Sequence, residues 1–168
     1  MGGVDRKRAL TDDEITDIAT RLRALDGARP VDTLPELAAE FGWRVHTADA
    51  DGGLIDVGFG LGPASGRVFA DEGQIVDITM SITKGATDDA EGLAWSRDVF
   101  TRMAAALSTA FGDPTERIPG KIASLRWAGA ANTLVLRNVE GSLELSLMDN
   151  TWLATEDKVA ALDAEDSH

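Results

Sequence analysis

The stretch from Thr87 to Trp127 constrains this chain more than any other. Within TDDAEGLAWSRDVFTRMAAALSTAFGDP, residues Val99, Phe100, Met103, Ala106, Leu107, Ala110 and Phe111 recur at three- and four-residue steps. That spacing puts them on one face of a long helix. Thr87 or Asp88 is placed to cap its start, and Asp88 with Glu91 has capping-box spacing. Asp88, Asp89 and Glu91 also set negative charge at the positive end of the helix dipole. Gly112 ends the helix and Pro114 prevents its resumption. A Met and aromatic stripe at this period belongs to a core rather than to a cofactor contact. The stripe must be covered, and the chain on both sides of it reads as strands.

Two shorter helices precede it. Thr11 and Glu14 form a capping box in sequence, with Leu10 and Ile15 at hydrophobic-staple spacing. Ile15, Ile18, Ala19, Leu22 and Leu25 then share a face that ends at Gly27. Thr33 and Glu36 repeat the box, Pro35 sits in the first turn, and Gly42 ends the second helix after Phe41. Residues 43–47, 54–61, 67–70 and 74–83 read as strands, the last two forming a hairpin around Asp71–Glu72–Gly73. In 74–83, Val76, Ile78, Met80 and Ile82 face one way while Asp77, Thr79 and Ser81 face the other, which predicts one buried and one wet face. Residues 125–127, 133–138 and 142–147 are three more strands, with Glu140–Gly141 as a tight turn. The expected fold is α+β: a mainly antiparallel sheet of about five to seven strands, with the long helix and two N-terminal helices packed on one face. A single domain is expected over residues 10–153. Residues 1–9 and 154–168 are expected to be flexible polar tails, the second holding at most a short frayed helix.

Composition narrows the function classes. The 168 residues suit one domain with a sizeable core. With 16 basic and 29 acidic residues the formal net charge is −13, which argues against nucleic acid and against anionic membrane surfaces. The same charge steers a basic protein partner into contact. There is no cysteine, so disulfides, thiolate metal sites and a cysteine nucleophile are excluded. No signal peptide or membrane span is apparent, and the cytoplasm is the expected location.

Candidate chemistry is sparse. GFGLGPASG at 58–66 suggests a phosphate loop, but Ser65 stands at the third glycine place and a strand follows instead of a helix. The glycines mark a bend beside close packing. His46 and His168 lack partners at ligand spacing, and no G-x-S-x-G elbow supports a triad through His46. The carboxylates Asp49, Asp51, Asp56, Asp71, Glu72, Asp77, Asp88 and Asp89 fall in turns or on wet faces. Trp43 and Trp127 open strands and belong to the core, whereas Trp152 follows the last strand and is placed to be partly exposed. No catalytic residue, metal ligand or cofactor is assigned, and an enzyme is not expected. The residues assigned to a protein partner are Asp49, Asp51, Asp71, Glu72, Glu140 and Trp152.

Four segments together carry a resemblance: LTDDE at 10–14, LAAEFGW at 37–43, FGDP at 111–114, and RWAG at 126–129 before an alternating hairpin. Their order and spacing resemble a family of small actinobacterial proteins without assigned activity. Small acidic α+β proteins of this kind look like immunity proteins. The nearest analogy is the immunity factor of the tuberculosis necrotizing toxin, an NAD-degrading enzyme exported by mycobacteria. The resemblance implies a cytosolic module that binds and occludes a toxin, with no contact residue carried over. The alternatives are a chaperone or adaptor for a type VII-like secretion system and, behind it, an enzyme.

Overall fold

The first three helices begin in different ways, two of them where a side chain accepts a free N–H group and one without such a cap. The computed structural model describes residues 7–25, 27, 29–120, 122–139 and 142–166. Helix α1 (Asp12–Arg23) opens on the expected box: the Glu14 N–H donates to Thr11 Oγ1 at 3.1 Å and the Thr11 N–H to Glu14 Oε1 at 2.9 Å. Leu10 and Ile15, the staple pair, are both fully buried. Helix α2 (Leu34–Phe41) has no such box, because a 3-10 turn, Val31–Thr33, takes the place of an extended capping residue. The Thr33 hydroxyl instead donates to the Pro30 carbonyl at 2.6 Å. Helix α3 (Ala90–Phe111) is capped by Asp89 rather than by Thr87 or Asp88. Its carboxylate accepts the Thr87 hydroxyl at 2.6 Å and the Gly92 N–H at 2.8 Å, and these two bonds lower its pKa. Gly92 explains the shift. A Cβ there would lie 2.0 Å from the Thr87 carbonyl oxygen, so glycine lets the incoming chain fold onto the first turn.

The remaining elements are strands and one last helix. They are β1 (Arg8–Ala9), β2 (Arg29–Pro30), β3 (Arg44–Asp49), β4 (Gly52–Asp56), β5 (Gly66–Asp71), β6 (Gln74–Ser81) and β7 (Thr83–Lys84). After α3 come β8 (Glu116–Ile118), β9 (Ile122–Ala128), β10 (Asn132–Val139), β11 (Ser142–Asp149) and helix α4 (Asn150–Asp166). The main sheet has nine strands in the order β3-β4-β5-β6-β11-β10-β9-β8, with β2 also on β6. Every pairing is antiparallel, and β1 pairs separately with β7. The class is α+β as expected, but the sheet exceeds five to seven strands. The additions are β2 and β8, of two and three residues, too short for alternation to register. Edge strand β3 is exposed along its whole length and is interrupted by a bulge between Val45 and Thr47. Its core contact comes from Trp43, just before it.

One face of the sheet, the near face, meets α1, α2 and α3 in a single core. Ile55, Val68, Ile78, Met80, Leu134, Leu136 and Leu145 on the strands meet Ile15, Ile18, Leu22, Leu37, Met103 and Leu107 on the helices. Burying each such side chain contributes roughly 1.5–3 kcal/mol before entropy is subtracted. Trp127 is buried in this core, 2% exposed, and its indole N–H donates to the Gly112 carbonyl at 2.9 Å. The strand after the long helix is thereby tied to the residue that ends it.

The opposite, far face is not wet, which corrects the expectation for Asp77, Thr79 and Ser81. Helix α4 lies on it, so helices occupy both faces. Leu153 packs with Val135 and Met148, and Thr79 and Ser146 are buried. The Trp152 ring lies 5.1 Å from that of Phe69. Asp157 takes both ends of the Arg126 guanidinium at 2.8 Å. The helix start is held by Asp149, whose carboxylate accepts the Trp152 N–H at 3.0 Å, and by Asn150, which donates to the Gly129 and Ala130 carbonyls. Among the residues of α4 whose burial is described, Leu153 is the one buried hydrophobic, so the helix shows no apolar stripe for periodicity to reveal. Among the described residues, no helix is long and apolar enough to cross a membrane.

Candidate functional site

Two hairpin tips meet at one end of the sheet. At the β3–β4 tip the Asp51 N–H donates to Asp49 Oδ1 at 2.8 Å, a local bond that shapes the turn. Gly52 follows with φ +130°, and a Cβ there would lie 1.9 Å from the Val68 carbonyl oxygen. Only glycine lets this tip pack flush against β5. At the β5–β6 tip, Glu72 and Gly73 both have positive φ, 51° and 76°, as a tight two-residue hairpin turn requires. The tips are joined by the Ala70 N–H donating to the Asp51 carbonyl at 2.8 Å. Asp49, Asp51, Asp71 and Glu72 are all exposed there and form one acidic rim.

An aromatic residue sits beside that rim. In register, Asp49, Gly52, Phe69, Asp77 and Met148 form one row across β3, β4, β5, β6 and β11. Phe69 is 44% exposed and supports Trp152 from α4. Trp152 is therefore half-buried against the sheet, with its indole nitrogen enclosed. Glu140 lies outside the described residues. The strand ends that flank it are at the other end of the sheet, where the Leu143 N–H donates to Thr83 Oγ1 at 3.1 Å. The structure thus gathers four of the six partner-assigned residues and places Trp152 on the adjoining face.

The far face also carries a polar cluster that the alternation of β6 had marked as solvated. Thr79 donates to Asp77 Oδ1 at 2.6 Å and shares a 2.7 Å bond with Ser146. Burial raises the Asp77 pKa, against the opposing pull of Thr79, Arg137 and Arg67. Arg67 lies 3.5 Å from Glu144. Arg126 holds Asp157 and lies 3.6 Å from Glu116. The hydrogen bonds between Arg126 and Asp157 raise the arginine pKa and lower that of the aspartate. Arg137 reaches along the face to Met148, its Nη2 lying 4.0 Å from the sulfur. In sequence Asp77 and Thr79 only alternate with Ile78 and Met80, and the burial comes from α4.

Other candidates resolve into structure. The 58–66 loop runs into β5, and its Ser65 hydroxyl accepts the Val57 N–H at 3.0 Å. Arg8 donates to the Phe59 carbonyl, fixing the loop to the N-terminal segment. His46 lies exposed on β3, and His168 is outside the described residues. Among the described residues, no group of three or more His, Asp or Glu could hold a metal ion. An open groove of about 620 Å³ between α1 and α3 is lined by Asp12, Asp13 and Asp17 with small residues of α3. Asp12 and Asp13 fall in the first turn of α1, where the helix dipole favours them, and Asp12 pairs with Arg102.

A family model, described as a family of unknown function, DUF6301, matches residues 13–149. No curated protein and no solved structure matches the chain.

Proposed function

The chain belongs to the DUF6301 family, and we propose that it is a protein-binding module: an actinobacterial immunity protein that acts in the cytoplasm and occludes a secreted toxin. The observation that carries this reading is the acidic rim joined by the Ala70–Asp51 bond, with exposed Phe69 beside it. An aromatic anchor flanked by charge is the arrangement that protein interfaces use for hot spots. A toxin that degrades a phosphorylated substrate such as NAD needs positive charge in its active site. Four carboxylates on rigid turns enter such a site in place of the substrate's phosphates. Charge of this kind acts mainly on the association rate.

The test is the quadruple variant Asp49→Asn, Asp51→Asn, Asp71→Asn, Glu72→Gln against any toxin domain whose gene is found to adjoin that of this protein. Association is expected to slow by about tenfold or more at low salt, with the difference closing at high salt. An unchanged rate removes the rim from the docking surface. No complex with any adjacent toxin domain counts against the immunity reading itself.

A secretion chaperone is the second reading, favoured by α4. Val159 and Leu162 are 49% and 60% exposed there, three residues apart on one helical face. Such a face suits an apolar export segment. Competition between that segment and a folded toxin domain separates the two readings.

A further inference from the structure

We infer that Arg137, with Asp77 and Trp152 around it, forms a binding site for an oxyanion, the phosphate or carboxylate group of a small ligand. This inference stands apart from the acidic rim and does not depend on the immunity reading. The three arginines of the far face are not alike. Arg67 has Glu144 and Arg126 has Asp157 and Glu116, while Arg137 has no carboxylate oxygen within 4.0 Å among the described residues. Its Nε, like that of Arg126, is enclosed without an acceptor among the described residues, but here Nη2 on the same edge meets a thioether, that of Met148, rather than a carboxylate. Sulfur of that type is a weak acceptor. The Nε–Nη2 edge of a guanidinium is a planar fork that matches two oxygens of a carboxylate or phosphate. Leaving a partly buried guanidinium edge unpaired costs free energy that a bound oxyanion recovers.

A second enclosed donor lies on the same face. The Trp152 indole nitrogen also lacks an acceptor among the described residues. Phe69, Asp77 and Met148 are consecutive in one cross-strand row. Trp152 packs on Phe69 at one end of this row and Arg137 reaches Met148 at the other, with Asp77 between them in register. Beside Asp77 lie the Thr79 and Ser146 hydroxyls, bonded to each other, with Thr79 also donating to Asp77.

Titration of the ¹⁵N-labelled full chain with inorganic phosphate, and separately with acetate, tests the site at constant ionic strength set by sodium chloride. The Arg137 Nε–H signal is assigned by its loss in Arg137→Lys and the Trp152 indole signal by its loss in Trp152→Phe. Both signals are expected to move and saturate with one midpoint. That midpoint should rise at least about tenfold in Arg137→Lys, which keeps the charge but loses the fork. An unchanged backbone spectrum shows that the variant is folded. Saturation by phosphate alone identifies a phosphate-bearing ligand, and saturation by acetate as well identifies a carboxylate. The site is overturned if neither signal saturates. It is also overturned if Arg137→Lys leaves the indole response unchanged, or if Trp152→Phe leaves the Arg137 midpoint unchanged.

Discussion

The two faces of the sheet are stabilised in different ways. The near face buries a continuous layer of Leu, Ile, Val, Met and Trp under three helices. The far face has one small apolar cluster, Val135 with Met148 and Leu153, and otherwise hydrogen bonds and ion pairs under a single helix. Apolar burial is additive and tolerant of detail, so the near face is robust and silent. Polar contacts depend on individual partners and on pH. A protein that must keep its fold while binding something is served by this division, with stability on one side and responsive groups on the other.

The sharpest break of that comparison is on the near face. Trp127→Ala removes a fully enclosed indole and its bond to Gly112, and is expected to cost roughly 3–5 kcal/mol. Denaturant unfolding measures it; near-wild-type stability would mean that the near face does not dominate the fold. On the far face, Leu153→Ala should cost about 2 kcal/mol, the low end for buried leucine because its cluster is small. Its more telling effect is local. The α4 amides should lose hydrogen-exchange protection while those of β10 and α3 keep theirs. Loss of protection throughout would show that α4 is integral to the core.

The smallest effects, and the most specific, are on pH dependence. The Asp77 pKa is raised in the folded protein, so its contribution to stability is complete below the ordinary value of 3.8 and is lost as pH rises through the folded pKa. The Asp157 pKa is lowered, so its contribution is present above 3.8 and is lost as pH falls through the folded pKa. Asp77→Asn should therefore gain stability relative to wild type as pH rises above 3.8. Asp157→Asn should lose stability at neutral pH and converge with wild type in acid. Its cost is expected to be about 1 kcal/mol or less, since Asp157 is largely solvated. Unfolding curves measured between pH 3 and 7 would check both signs, and parallel curves for the two variants would refute the assignment.

What the sequence disclosed follows the same division. The α3 stripe, the α1 capping box and the near-face residues Ile78 and Met80 of β6 were legible because burial on one side imposes a period. Helix α4 was not, since its contacts are Trp152, Leu153 and Asp157 rather than a stripe. Missing α4 made the far face look solvated and hid Asp77. The capping residue of α3 was misplaced because the close approach of Thr87 to Gly92 is tertiary. Of the candidate site, the acidic turns were legible as turns, but their joining at one end depended on the pairing of β4 with β5. Phe69 was not singled out, since an aromatic in a strand ordinarily belongs to a core.

The two ends of the strand order carry a consequence for how copies of this protein behave in a crowded cell. A nine-stranded antiparallel sheet has two borders, each a template onto which another chain's backbone can add. Here one border, β3, is kinked by the bulge between Val45 and Thr47, and the other, β8, is three residues long. Neither offers a long flat row of unpaired amides and carbonyls. Growth of the sheet from molecule to molecule is discouraged at both borders, so association is directed to side chains on the turns and faces, where it can be selective.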